Sequence, residues 1–401
     1  MTTIRGVYAA ALTPMKDDLS PDLPALVRHY KWLLASGCDG LAPLGTTGEA
    51  NSFSVDERLA VIDALGASGI PMAKTIVGTG SCAIPDSVRL TKRVLEAGGR
   101  DVLVLPPFYY KKVSEDGLFA SFAETIARVG DERLRLYVYQ FPQMTGLDLS
   151  LELIERLIKA FPKTVVGIKD SSGNWANMEA MCKRFPGFEV FPGSERFLLA
   201  GLRAGGVGCI SATTNLTAPM AAKVFAQWKG ADADRLQAEL TAVREVLEGF
   251  PAIAALKAVL ARHSGHGTWR NIRPPLARLD EAQTRDLFAL CRRHLGLDRL
   301  YEDIRQEVQD MSQYLESEAM RRQNETVVRL TVVTTFGLIG TIVTGFLGMN
   351  LFNWSGQEPA IKFLLFLAVV APVLLLTLYT VKKSRRLSEF LDALADDSPR
   401  L

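Results

Sequence analysis

The chain has 401 residues, 48% of them hydrophobic and 22% charged, which excludes wholesale disorder and leaves room for one large domain with an appendage or for two ordinary ones. Its 46 basic and 44 acidic residues nearly cancel to a formal +2, and no basic stripe is interleaved with aromatics, so nucleic acid is not an expected partner. Five cysteines (Cys38, Cys82, Cys182, Cys209 and Cys291) form no CxxC and are odd in number, which predicts free thiols of a reducing compartment rather than a disulfide or zinc framework.

The first residues run directly into a strand pattern without the apolar core of a signal peptide. From there, short β-rich runs alternate with helix-compatible stretches. Strands are predicted at 6–12, 40–45, 72–77, 101–105, 135–141, 165–169, 188–192 and 206–211, with intervening segments such as 55–66 and 151–160 suited to helices. Eight such units predict an α/β fold, a (β/α)8 TIM barrel rather than a doubly wound sheet. Further helices at about 235–262 and 280–294 complete a first domain over 1–297.

The chemically distinctive residues fall where a barrel keeps its chemistry, at the C-terminal ends of strands. The second strand leads into Gly45-Thr46-Thr47-Gly48-Glu49, a tight turn whose hydroxyls and backbone N–H groups suit a carboxylate. Tyr110 follows the fourth strand within Pro106-Pro107-Phe108-Tyr109-Tyr110-Lys111, and Tyr139 stands near the end of the fifth. Lys169 closes the sixth in Val165-Val166-Gly167-Ile168-Lys169-Asp170; Gly193-Ser194-Glu195 follows the seventh, and Ile210 lies in the eighth. Lys169 carries the most chemical information. At the end of an apolar strand it is expected in the barrel mouth, where burial disfavours a charged amine and leaves the neutral form that attacks a ketone. Taken singly, Lys169 is equally compatible with an ion pair to Asp170, Tyr139 with a core aromatic, and the glycine-flanked turn with ordinary turn chemistry. Their gathering on one barrel face points to a site.

Beyond the barrel, 298–326 has no proline or glycine, and Leu300, Ile304, Val308, Met311 and Leu315 recur at spacings of three and four, predicting an amphipathic stalk helix. Two apolar segments follow. Segment 363–381 contains no charge and 327–347 contains only Arg329, so each is predicted to cross a bilayer as a helix. Arg321 and Arg322 precede the pair, and Lys382, Lys383, Arg385 and Arg386 follow it. By the positive-inside rule the barrel and the 382–401 tail, basic then acidic, are cytoplasmic and the connector faces outward.

Over about 1–295 the barrel constellation resembles the dihydrodipicolinate synthase and N-acetylneuraminate lyase superfamily of class I, Schiff-base aldolases. The resemblance rests on GTTGE, Pro-Pro-Phe-Tyr-Tyr, Tyr139, Gly-Ile-Lys-Asp and the Gly-Ser-Glu turn, in family order and at family spacing. It implies that Lys169 forms an imine with a 2-oxo acid and that Tyr139 relays protons. It further implies that Thr46 and Thr47 bind the carboxylate, with Thr47 also bonded to Tyr139. By the same resemblance Tyr110 would complete the relay, in many members from a neighbouring subunit, and Gly193 and Ile210 would line the pocket by backbone groups. No metal or organic cofactor is implied, since the protonated imine is the electron sink. One departure bears on substrate. Met144 stands where the synthase carries an arginine that grips its aldehyde's carboxylate, and a thioether forms no bidentate pair. This favours cleavage or dehydration of a sugar-derived 2-keto-3-deoxy acid over lysine biosynthesis.

Over about 298–387 the chain resembles the C-terminal part of CorA magnesium channels. The resemblance rests on stalk, first span, Gly348-Met349-Asn350, short loop, second span (327–381 in all) and basic tail. It implies that Gly348, Met349 and Asn350 meet a hydrated Mg²⁺ at a pore mouth, as suits an ion that sheds water reluctantly. Leu347 replaces the usual aromatic and the family's large sensor domain is missing, so anchoring and ion conduction both remain open. The expected whole is a lyase tethered to an inner or plasma membrane by two spans; the alternative is a divalent-cation transporter with an aldolase-like sensor. Its partners are a 2-oxo acid, the lipid bilayer and copies of itself. The lyase family implies a tetramer and the channel family a pentamer.

Overall fold

The computed structural model describes residues 4–295. The stalk, both apolar segments, Gly348-Met349-Asn350 and the tail lie outside the described residues. Among the described residues no helix is long and apolar enough to cross a membrane.

Eight parallel strands follow one another: β1 (Gly6–Ala9), β2 (Gly40–Leu41), β3 (Val77–Gly78), β4 (Asp101–Val104), β5 (Arg135–Gln140), β6 (Val165–Asp170), β7 (Glu189–Pro192) and β8 (Gly208–Ser211). They form two ladders, β2-β1-β8 and β3-β4-β5-β6-β7. A bridge between Leu41 and Thr75 joins β2 to the approach of β3, and Val207 N donates to Val190 O at 3.1 Å on the other side. The ring therefore closes, which leaves no free sheet edge. Helices α1 (Leu23–Ala35), α2 (Val55–Ala67), α3 (Ile84–Glu96), α4 (Glu115–Val129), the short α5 (Pro142–Thr145), α6 (Leu151–Ala160), α7 (Trp175–Arg184), α8 (Leu198–Ala204) and α9 (Thr214–Gln227) lie between and after the strands. The (β/α)8 expectation holds for this part.

Side-chain alternation explains why the strands are apolar throughout. In β5, Leu136 and Val138 join the core between sheet and helices, whereas Tyr137 and Tyr139 join the cluster that fills the barrel with Tyr8, Phe191 and Ile210. Gly167 makes room for this filling: a Cβ there would come within 2.6 Å of the Tyr137 ring. At the N-terminal end of the barrel, Arg135 bridges Asp101 (2.7 Å) and Glu189 (2.9 Å) in a buried ionic cluster. That cluster lies away from the strand ends that build the site. Local signals set the helix starts; Ser54 and Glu57, for example, form a reciprocal capping box at α2, an arrangement whose cap alone contributes about 1 kcal/mol.

Two expectations need correction. Segment 72–77 is not one strand: Met72–Lys74 coils as a 3-10 turn after Pro71, and the strand begins only at Val77. The helix expected over 235–262 is two helices, α10 (Ala233–Glu248) and α11 (Ala252–Ser264). They are parted by Gly249-Phe250-Pro251, because proline cannot continue the preceding helix and instead leads the next one. With α12 (Glu281–Leu295) they bury a separate apolar cluster that includes Leu256, Val259, Leu287 and Phe288.

Candidate active site

Tyr139 and Lys169 are registered partners on β5 and β6, so both leave adjacent strands at the C-terminal end of the barrel. Lys169 is only 3% exposed. Its Nζ donates to the Tyr139 hydroxyl at 3.2 Å and stands 4.4 Å from that ring's centroid. The alternative, an ion pair of Lys169 with Asp170, is not formed. Asp170 accepts instead from Ser172 N (2.8 Å) and Asn177 Nδ2 (3.1 Å), and burial raises its carboxyl pKa above the usual range. Lys169 is thus a buried amine beside a phenol, with no carboxylate paired to it among the described residues, the setting in which a lysine can act as a nucleophile.

The Tyr139 hydroxyl also lies 3.4 Å from Thr46 Oγ1. Amine, phenol and threonine hydroxyl form one short path along which a proton can move. Here the expectation for Thr47 is corrected, since Thr46 makes the contact to Tyr139. The reason is the coil of the turn. Leu44 and Glu49 take left-handed φ values of 56° and 54°, and Glu49 N and Ala50 N bond back to Thr46 O (3.0 Å) and Gly45 O (3.2 Å). Within this turn it is Thr46 whose hydroxyl meets the phenol. Thr47 lines the cavity beside it.

That cavity, of about 570 Å³, opens over Lys169 and is lined by Thr46, Thr47, Tyr139, Ser171, Gly193 and Met144 among others. A volume of this size holds more than a three-carbon acid. Gly193 is where the expectation placed it. A Cβ there would meet Ser171 Oγ at 2.1 Å, so only glycine lets the loops after β6 and β7 close together. Ile210 is fully buried in the barrel filling beneath and is not part of the cavity wall. Tyr110 is 71% exposed, packs edge-on against Tyr109 at 5.3 Å, and does not line the cavity of its own chain.

Three features escaped sequence reasoning. Glu195 is wholly buried and is held by Ser211, Thr213, Thr217 (3.1 Å) and Arg244 (2.8 Å), tying the turn after β7 to β8, α9 and α10. Glu49 and Lys257 form an ion pair with both side chains at 0% exposure, which ties the threonine turn to α11; burial lowers the Lys257 pKa. Arg196, Arg244 and Glu248 join the cavity wall. Spacing does not reveal the contacts between elements, since Glu195, Glu49 and Arg196 each pair with a residue of a distant element. Among the described residues no cluster of three or more His, Cys, Asp or Glu is arranged to hold a metal.

Residues 3–293 match the dihydrodipicolinate synthetase family model, and residues 252–383 match that of the CorA-like Mg²⁺ transporter proteins. An uncharacterized DapA-like lyase of Chloroflexus aurantiacus is 34% identical over 280 residues, 69% of this chain and 90% of the relative. A 4-hydroxy-tetrahydrodipicolinate synthase of Acidiphilium cryptum is 34% identical over 285 residues, 69% of this chain and 94% of the relative. Among solved structures, dihydrodipicolinate synthase from Agrobacterium tumefaciens superposes with a TM-score of 0.68 at 33% identity, covering 73% of this chain and all of that one. YagE of E. coli K12, a prophage protein solved with pyruvate, gives a TM-score of 0.66 at 25% identity over 73% of this chain and 98% of that one.

Proposed function

The chain belongs to the dihydrodipicolinate synthetase family, and on that premise we propose that its barrel joins Lys169 to a 2-oxo acid as a Schiff base and cleaves or dehydrates a 2-keto-3-deoxy sugar acid. The observation that carries this reading is the continuous contact of Lys169 Nζ, Tyr139 OH and Thr46 Oγ1 at 3.2 and 3.4 Å. The lysine amine adds to C2 of the oxo acid to give a carbinolamine. Water departs with a proton delivered through Tyr139, and a protonated imine remains. In cleavage, the bond between C3 and C4 breaks and its electron pair moves into the imine. Tyr139 takes the C4 hydroxyl proton, and an aldehyde leaves. The enamine is then protonated at C3 and hydrolysed to free pyruvate and the lysine. In dehydration, a C3 proton is lost and the C4 hydroxyl departs as water. Thr46 and Thr47 hold the carboxylate near the reacting carbon, and neither route requires a metal or organic cofactor. Tyr110 enters this scheme only from a second copy of the chain, since in its own chain it stands outside the cavity.

Met144 supports a sugar-acid substrate over the synthase reaction. It is 61% exposed at the cavity rim and supplies no cation for an aldehyde's carboxylate. Pyruvate release from 2-keto-3-deoxy aldonic acids is therefore expected to exceed condensation of pyruvate with a carboxylate-bearing aldehyde by about 10²-fold or more in kcat/KM. The reverse order would return the protein to the synthase activity.

The CorA-like match favours a second role alongside this one. It covers the two apolar segments and Gly348-Met349-Asn350, and supports a protein held in an inner or plasma membrane by two spans with the barrel in the cytoplasm. Conduction of Mg²⁺ and simple anchoring differ in one outcome. If the segment conducts, Asn350→Ala abolishes Mg²⁺ uptake into liposomes carrying the protein and leaves lyase turnover unchanged. Uptake that is absent from the unaltered protein reduces the spans to an anchor.

A further inference from the structure

The loop between β4 and α4 turns its two tyrosines away from their own cavity and is held by a clip to another loop. Tyr109 and Tyr110 stand at its tip, 74% and 71% exposed, with their rings crossed at 88°. The next residue, Lys111, donates from Nζ to Thr145 O at 2.6 Å and to Phe108 O. Its stem lies against Gly146, where an added Cβ would stand 3.1 Å from Lys111 Cδ and 3.4 Å from Cε. Gly146 ends α5 with a left-handed φ of 65°, so the stem rests on bare backbone. Among the described residues Lys111 forms no ion pair, and its contacts are these two carbonyls. A flexible four-carbon stem with rotatable ammonium donors suits such a bridge between loops, and a charged donor strengthens each bond.

The clip has two ends, and they differ in what they need. Thr145 is 1% exposed and already fixed, with Oγ1 donating to Phe141 O and Leu147 O at 3.0 Å each. Phe141 in turn stacks on Tyr139 at 5.8 Å, so this end belongs to the rigid exit of β5. The tyrosine end is exposed, and Lys112 within it holds a left-handed φ of 55°, which a lysine keeps only where its surroundings impose it. The constraint therefore runs from α5 to the loop and not the other way. We infer that Lys111 is a positioning residue, fixing the loop so that Tyr110 leaves its own chain in the attitude that completes the proton path of a second copy. The inference rests on the reading of Lys169 as the imine-forming amine and of Tyr110 as a neighbour's contribution. It assigns what holds that tyrosine while it stands outside its own cavity.

The test uses full-length protein in detergent, co-expressed as two differently tagged chains and purified through both tags. One chain carries Lys169→Ala and can only donate Tyr110; the other carries Tyr110→Phe and can only supply Lys169. Exchange of the C3 hydrogens of pyruvate in D2O, followed by NMR, reads imine and enamine formation without a second substrate. The hybrid is expected to exchange at least about tenfold faster than either parent assembly. Adding Lys111→Met to the Tyr110-donating chain should lower kcat for exchange by about tenfold or more, the scale on which a misplaced catalytic group acts, with KM for pyruvate within about twofold. Adding it to the Lys169-supplying chain instead should change kcat by less than about twofold. The same substitution is present in both hybrids, so a general loss of folding lowers both. A fall confined to the Lys169-supplying chain, equal falls in both, or no fall in either overturns the assignment. A hybrid no faster than its parents overturns the donation of Tyr110 and the positioning role with it. Whether pyruvate forms an imine in the unaltered protein is read separately by borohydride trapping, and failure there overturns the lyase reading itself.

Discussion

Lys169→Ala is expected to lower turnover by roughly 10³-fold or more, the scale on which removal of a covalent nucleophile acts. Among the described residues no second lysine lines the cavity. Lys257 is the other buried lysine near the site, but its Nζ is committed to Glu49 and to Asn271 O (2.9 Å) and it does not line the cavity. The folded state should change little. Among the described residues Lys169 Nζ hydrogen-bonds to the Tyr139 hydroxyl and forms no ion pair, so its removal is expected to shift stability by no more than about 1–2 kcal/mol. Steady-state kinetics with circular dichroism on the same preparation separates the two effects. A variant that keeps a tenth of the activity would require another nucleophile.

Lys257→Met is expected to act in the opposite sense, on the fold before the chemistry. It leaves Glu49 at 0% exposure with its counter-ion gone, and breaking a buried pair from one side costs about 3–5 kcal/mol. The pair joins the threonine turn to α11, whose first residues form part of the cavity wall, so carboxylate binding should weaken as well. Lys257→Met combined with Glu49→Gln removes both charges and should recover more than half of the lost stability. Urea unfolding of the barrel in full-length protein, followed by circular dichroism, reads all three midpoints. A single variant with an unchanged midpoint would show that the pair contributes nothing.

These two lysines also show what was readable in the sequence. Lys169 stood out because it ends an apolar strand, and Tyr139 because it ends the strand before; neighbouring parallel strands bring such residues together with no further information. The closed barrel was legible for the same local reason, from repeated strand and helix periods. Lys257 carried no such mark, since it sits within an apolar helical run and its partner lies more than two hundred residues earlier. Arg244 and Glu248 likewise look like an ordinary solvent-facing pair at helical spacing until α10 is seen to lean over the barrel mouth. The contact to Tyr139 falls to Thr46 rather than Thr47 because a coiled turn, unlike a strand, gives consecutive side chains no fixed alternation. Pro251 did signal the break between α10 and α11, and reading 235–262 as one helix overlooked it.

The central claim is that Lys169 forms an imine with a 2-oxo acid. Its most direct test is borohydride reduction of full-length protein in detergent with pyruvate, followed by peptide mass spectrometry. A reduced pyruvyl adduct on the Lys169 peptide, missing from Lys169→Ala, is the predicted result. Folded protein that yields no adduct, or an adduct on Lys257 instead, would contradict the account.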